Sequence, residues 1–187
     1  MDRFFVVTGG PGSGKTTLID ALVALGHGRT VEAGRFITQA QVAIGGNAVH
    51  WGDRALYAEL MLMHEIRSYE QARDLTFFDR GVPELCGYFA MSGLPVPAHF
   101  EKAAQLYRYS RTVFAAPPWR EIYVNDAERK QDFAEAVATY ELCKNTYRAR
   151  GYEVMELPRA SVAERVAFVV AQVDKARGRI DSATAGG

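Results

Sequence analysis

The sequence predicts an α/β fold: a parallel sheet covered by helices on both faces. Three observations carry this reading. Five short apolar runs, rich in aromatic and β-branched residues, recur along the chain with helical segments between them. Strands buried on both faces read as continuous apolar runs of this kind. The 187 residues match the size of one such domain.

The elements follow in order. Phe4-Phe5-Val6-Val7-Thr8 is a buried strand that ends at glycines. Residues 15–25 carry Leu18, Leu22 and Leu25 at helical spacing, and Gly26 is a stop signal. Residues 30–32 form a short second strand, and residues 38–44 are helical until Gly45-Gly46. A helix over 53–73 has Asp53 as its cap and an apolar stripe of Leu56, Leu60, Met63 and Ile66. The third strand, 75–78, ends at Asp79-Arg80-Gly81. Helices over 84–91 and 98–110 lead to a fourth strand over 112–116. An irregular charged segment, 117–132, precedes a helix over 131–150, and a fifth strand spans 152–157. Ser161 caps a last helix to about residue 175. One domain over 1–177 is therefore expected, with a disordered tail at 178–187.

Composition excludes several function classes. Lys plus Arg and Asp plus Glu number 22 each, so no bulk charge draws the chain to nucleic acid or anionic membrane. No apolar run approaches the roughly 18 residues of a membrane span. The start has no signal-peptide layout, and Cys86 and Cys143 lie far apart, so a cytoplasmic, reducing location is expected. His27, His50, His64 and His99 have no zinc-ligand spacing.

Gly9-Gly10-Pro11-Gly12-Ser13-Gly14-Lys15-Thr16 fits G-x-x-x-x-G-K-[ST] at every fixed position. Background frequencies give such a match by chance at ~4 × 10⁻⁵ per position. The match also lies after a strand and opens a helix, as its chemistry requires. Glycines let backbone N–H groups turn inward around a polyphosphate, and the helix start adds further donors and a positive dipole end. Lys15 would reach the β- and γ-phosphates of ATP, and the Thr16 hydroxyl would hold Mg2+. Thr17 completes the phosphate-binding set.

In an open α/β sheet, ligands sit outside the carboxyl ends of the strands. Glu32 ends the second strand and Asp79 the third. Asp79 after an apolar strand is placed to order Mg2+ water, or else it is a helix cap or the ion-pair partner of Arg80. Glu32 is either a base for an accepting hydroxyl or a solvated loop carboxylate. Arg35 and Arg80 are either phosphate contacts or partners of these acids. In the 117–132 segment, Arg120 and Arg129 are the candidate lid arginines for transition-state charge, against the reading of a solvated helix start. Tyr57, Tyr88, Phe89 and Tyr107 fall at helical spacing and read first as core; Trp51 and Trp119 sit beside loops.

With the glycine loop, Val31-Glu32-Ala33-Gly34-Arg35, Phe78-Asp79-Arg80-Gly81-Val82-Pro83 and Pro117-Pro118-Trp119-Arg120-Glu121-Ile122-Tyr123 in view, the chain resembles the small predicted-ATPase P-loop proteins of the AAA-domain class. These are relatives of nucleoside and nucleotide kinases, including the nicotinamide-riboside kinase type. The resemblance implies a P-loop NTPase three-layer sandwich with strand order 2-3-1-4-5, and helices over 36–73 and 82–109 on the acceptor side. It implies Glu32 as base, and Asp79 with Arg80 as organisers of metal and acceptor. Large AAA+ machines carry Asp-Glu where this chain has Asp79-Arg80, and their lid domain has no counterpart in its length.

Two functions follow. The first is a Mg2+-dependent kinase passing phosphate from ATP to a small-molecule acceptor. The second is a regulatory ATPase or GTPase-like switch that binds a protein or lipid partner. The chain has no N-K-x-D guanine-reading motif, and no basic or aromatic motif marks a nucleic-acid partner.

Overall fold

The computed structural model describes residues 3–123 and 132–184, with side chains as far as 178. The chain runs β1 (Phe4–Gly9), α1 (Lys15–Ala24), β2 (Gly28–Arg29), α2 (Ala33–Ile44), α3 (Arg54–Gln71), β3 (Thr76–Asp79), α4 (Val82–Met91), α5 (Ala98–Leu106), β4 (Thr112–Ala116), α6 (Phe133–Ala149), β5 (Glu153–Glu156) and α7 (Val162–Thr184). All strand pairs are parallel, in the order β2-β3-β1-β4-β5, as expected. Among the described residues no helix is long and apolar enough to cross a membrane.

The pleat of β1 divides the core. Phe5 and Val7 face Leu18, Ile19 and Leu22 of α1 and Val169 and Val173 of α7. Phe4 and Val6 face Phe78, Tyr109 and Tyr147 on the other side. Each such side chain taken from water stabilises the fold by about 1.5–3 kcal/mol. A third apolar cluster lies among α2, α3, α4 and α5, built from Tyr57, Met61, Leu85, Phe89, Phe100 and their neighbours.

Capping explains several boundaries. The Asp53 carboxylate accepts from Leu56 N–H at the start of α3. Asp132 and Glu135 form a reciprocal capping box on α6, and Ser161 with Glu164 does the same on α7.

Three expectations are corrected. The second strand is Gly28–Arg29, not 30–32. Its ladder ends when Thr30 N–H reaches Phe77 O; Val31 is exposed, and Glu32 occupies the N-cap position of α2. On α3, Leu56 and Met63 are 47% and 61% exposed, whereas Tyr57, Ala58, Met61, Leu62 and Glu65 are buried. Leu60 and Ile66 of the expected stripe pack at the edge of the core, but packing against α4 and α2 centres the buried face on the second set. Finally, the segment expected to be a tail from 178 is helical as far as Thr184. A single glycine at 178 costs roughly 1 kcal/mol against alanine, which good helix formers on either side absorb.

Candidate functional site

The glycine loop joins β1 to α1 at the carboxyl end of the central strand. Gly10 lies so close to α6 that a Cβ there would collide with the Ala136 carbonyl. Gly14 holds φ at 75°, and a Cβ there would come within 2.8 Å of Arg165 Nη1. Ser13 Oγ donates to Gly10 O at 2.8 Å, and Arg165 Nη2 donates to Ser13 O at 3.2 Å. The loop is thus braced from inside by Ser13 and from α7 by Arg165.

Lys15 is buried, and its ammonium donates to Gly9 O at 3.2 Å and Gly10 O at 2.9 Å. Burial pushes its pKa down, with Arg80 adding to the fall, while Asp79, Glu32 and Glu84 oppose it. Thr16 and Thr17 are exposed in the first turn of α1. Early N–H groups of a helix have no intrahelical acceptor, so this turn offers free donors. The arrangement is a cradle of donors around one buried positive charge, suited to a polyphosphate.

Asp79 ends β3 beside Val7 of β1 and is buried. Its backbone N–H donates to Thr30 Oγ1 at 3.3 Å, but its Oδ1 is buried without a hydrogen-bond partner. Burial raises the Asp79 pKa, and Lys15 works against the rise. Arg80 follows with φ at 74°, the left-handed region that non-glycine residues rarely adopt. That turn carries its side chain into a network. Its Nη1 donates to Glu84 Oε2 at 2.7 Å and its Nε to Glu32 Oε1 at 3.3 Å. Cys143 Sγ donates to Glu84 Oε2 at 3.2 Å, and Tyr147 Oη to Glu84 Oε1 at 3.2 Å. Burial and then Glu84 push the Cys143 thiol up to about 12, so it serves as a neutral donor. Burial works against the Arg80 charge, but Glu84 and its neighbours hold the guanidinium firmly protonated.

The structure therefore brings Lys15, Glu32, Asp79 and Arg80 into one electrostatic cluster, although β2 proved shorter than expected. Of the two readings of Arg80, the partner of acids is the one observed. Arg35 is exposed on α2. Arg120 is exposed, and its guanidinium stacks 4.4 Å over the Phe133 ring. Its turn nevertheless lies over the loop: a Cβ on Gly12 would meet Tyr123 at 2.7 Å, and one on Gly14 would meet Ile122 at 3.2 Å. Arg129 lies outside the described residues. Tyr57 and Phe89 are core residues, with Tyr88 and Tyr107 packed at the edge.

Glu84, Glu65 and Arg165 are absent from the sequence-derived set. Arg165 had a signal, because it shares the i, i+4, i+8 stripe of Val169 and Val173. Glu65 had one too, had the α3 stripe been placed on Tyr57, Ala58, Met61 and Leu62. Glu84 read only as an acid in a first helical turn. Glu65 is buried, and burial, Glu84 and Asp79 together push its pKa up to about 8. Its folded pKa exceeds the unfolded value of 4.5, so unfolding releases a proton between these limits. The contribution of Glu65 to stability is fullest below pH 4.5 and falls as pH rises toward 8, by up to about 1.4 kcal/mol per pH unit. Glu65→Gln removes this dependence. Its Tm should match the parent near pH 4.5 and exceed it progressively up to pH 8 in a thermal melt series. A constant difference across that range would mean Glu65 is not protonated in the fold.

Comparisons with known proteins agree with this geometry. The family model described as AAA domain matches residues 4–165. No curated protein matches the chain. The structure of NadR protein in complex with NR aligns with a TM-score of 0.60 and 18% identity over 94% of this chain, which spans 52% of that protein, about half its length. Thymidylate kinase from Ehrlichia chaffeensis aligns with a TM-score of 0.60 and 13% identity, covering 92% of this chain and 98% of that one. Deoxyadenosine kinase from M. mycoides with bound dATP aligns with a TM-score of 0.55 and 12% identity, covering 92% and 99%. Likeness at these identities establishes the fold: the α/β sheet of the P-loop kinases.

Proposed function

Because the chain belongs to the AAA-domain family and has the P-loop kinase fold, we propose that it is a Mg2+-dependent phosphotransferase. It takes the γ-phosphate of ATP to a hydroxyl on a small-molecule acceptor. The observation that carries this reading is the meeting of Lys15, Glu32, Asp79 and Arg80 beside the glycine loop. A switch protein has no need of a partly buried carboxylate, Glu32, oriented by an arginine at that place.

In this reading the loop residues Gly9, Gly10, Pro11, Gly12, Ser13 and Gly14 cradle the phosphates, together with Lys15, Thr16 and Thr17. Lys15 exchanges its two carbonyl contacts for phosphate oxygens. The Thr16 hydroxyl and Asp79 would hold Mg2+. Among the described residues no trio of His, Cys, Asp or Glu side chains is placed to hold a metal. Mg2+ at phosphate sites keeps most of its waters and takes only one or two protein oxygens. The unpartnered Asp79 Oδ1 fits that requirement. Bound Mg-ATP supplies the phosphoryl group and neutralises its developing charge. Glu32 accepts the proton of the acceptor hydroxyl, with Arg80 Nε fixing the carboxylate. Arg80 is a positioning residue, tied to α4 through Glu84. Helices over 36–73 and 82–109 form the acceptor side, and the segment over 117–132, with Arg120 and Arg129, serves as the lid.

The test is a coupled assay of ATP consumption across nucleosides, nucleotides and sugars, run with and without acceptor. Acceptor-dependent turnover is expected. Glu32→Gln should lower it by 10²-fold or more, as removal of a general base does. The thermal shift produced by Mg-ATP should remain. Slow turnover indifferent to every acceptor would select a nucleotide-dependent switch. Asp79→Asn should raise the Mg2+ midpoint about 10- to 100-fold. It should lower turnover more than it weakens nucleotide binding. An unchanged midpoint would reduce Asp79 to a structural carboxylate.

A further inference from the structure

Arg165 of α7 reaches the glycine loop across 152 positions of sequence, its Nη2 donating to Ser13 O at 3.2 Å. The core fixes that approach. Leu157, buried just past β5, donates its N–H to Ala115 O and anchors the lead into α7. Ser161 and Glu164 set where the helix begins. Val169 and Val173, one and two turns beyond Arg165 on the same face, pack beside Leu18 and Leu22 of α1. Rotating α7 would expose both valines, so the guanidinium has one place to stand.

That place is a poor one for a cation. Arg165 is 3% exposed, and burial pushes its pKa down. It also lies at the end of the first turn of α7, where the helix dipole disfavours positive charge. A neutral donor could hold the same carbonyl without either penalty. The fold alone therefore does not account for the charge.

Peptide geometry supplies a use for it. In a planar trans peptide the carbonyl O and the next N–H point opposite ways. Arg165 holds Ser13 O on the α7 side, so the Gly14 N–H is turned away from α7. Gly14 is the N-cap of α1 and leads into the free donors of its first turn. A second brace, Lys15 on Gly9 O and Gly10 O, is released in the reading above when its ammonium turns to a phosphate. The Arg165 brace stays.

We propose that Arg165 is a positioning residue for polyphosphate binding: it keeps the N–H of the peptide between Ser13 and Gly14 toward the phosphates and sets a lasting positive charge behind the loop. It touches the loop backbone, not the nucleotide. The inference rests on the phosphate-loop reading given above.

The test titrates Mg-ADP and Mg-ATP calorimetrically into the parent and into Arg165→Met, Arg165→Gln and Arg165→Lys. Arg165→Met should weaken both nucleotides about 10- to 100-fold, the worth of one hydrogen bond to a charged group. The two losses should be equal, because loop N–H groups cradle the α- and β-phosphates that both nucleotides carry. Lys15→Ala should instead weaken Mg-ATP more than Mg-ADP, since its ammonium reaches the γ-phosphate as well. Arg165→Lys keeps a charge and a donor and should recover most of the affinity; Arg165→Gln keeps only a donor and should fall between. In the coupled assay Arg165→Met should raise the KM for ATP and leave kcat nearly unchanged. Parent-like affinity in Arg165→Met, with only its apo Tm lowered, makes the contact structural and overturns the inference. A loss confined to Mg-ATP also overturns it, because it would put Arg165 at the γ-phosphate. If Arg165→Met does not fold, the other two variants decide: tighter binding by Arg165→Lys supports the inference, and equal binding overturns it. A parent that binds neither nucleotide overturns the phosphate-loop reading itself.

Discussion

Lys15→Ala abolishes most of the rise in Tm that Mg-ATP produces and leaves the apo protein folded. In the apo state the Lys15 ammonium touches only two carbonyls of its own loop, Gly9 O and Gly10 O. Its burial lowers its pKa, so the folded chain holds this charge at a cost. Removing it therefore does little harm to the fold. The triphosphate, in contrast, loses a charge-assisted contact worth roughly 2–3 kcal/mol, or about 30- to 150-fold in Kd. A titration of Tm against Mg-ATP for parent and variant reads this directly. Equal shifts in both proteins would remove the loop as the phosphate site. Lys15→Arg should not restore binding, because a planar fork cannot occupy the compact position of an ammonium.

The largest stability effect is expected at Arg80. Arg80→Ala leaves Glu84 buried and without its nearest cation, which costs about 3–5 kcal/mol in urea unfolding. The double variant Arg80→Ala with Glu84→Gln should recover part of that loss, because a neutral amide is cheaper to bury than a lone carboxylate. Arg80→Gly separates a further contribution. Arg80 holds φ at 74°, and glycine adopts that conformation without steric penalty. Arg80→Gly should therefore be about 1 kcal/mol more stable than Arg80→Ala. If Arg80→Ala unfolds with the parent midpoint, the Arg80 and Glu84 pair is not a structural unit. The tie between β3 and α4 would then have to rest on apolar packing alone.

The strained Arg80 backbone has a clear use in the fold. Extended backbone at that position would continue β3, whereas the left-handed turn sends the guanidinium back across the strand end. There it joins the α2 N-cap to the first turn of α4. Cys143 and Tyr147 of α6 close the same circuit from the opposite side. Side chains from α2, α4 and α6 thus fix one guanidinium, directly or through Glu84, and Glu32 is held beside it.

Much of this was readable in the chain. The glycine loop was legible as the turn from β1 into α1, because its residue types stand at fixed local spacing. Gly10 and Gly14 are where neighbouring elements leave no room for a side chain. The parallel sheet was legible because strands buried on both faces must be apolar throughout, as Phe4 to Val7 are. Asp79 was legible because a carboxylate that ends such a strand is out of keeping with it.

What the chain could not reveal was which partner each side chain would meet. The stripe expected on α3 had the right period, and Leu60 and Ile66 do pack at the core edge, but its phase was off: the packed face is centred on Tyr57, Ala58, Met61 and Leu62, and Leu56 and Met63 are exposed. That phase alone decides that Glu65 is buried, and hence that its pKa rises to about 8. Glu84 is an ordinary charged helix residue by sequence, and Arg165 stands out only through the stripe it shares with Val169 and Val173. They become buried partners of Arg80 and of the glycine loop only when α4 packs against α6 and α7 against α1. The sequence by itself determined four of the five strands, the glycine loop between β1 and α1 and the carboxylate that ends β3, since each follows from local spacing and local chemistry. The tertiary structure alone decided the pairing of Arg80, the burial of Glu65 and Glu84 and the bracing by Arg165. Burial and charge pairing depend on what approaches across space, and the period of a helix does not encode that.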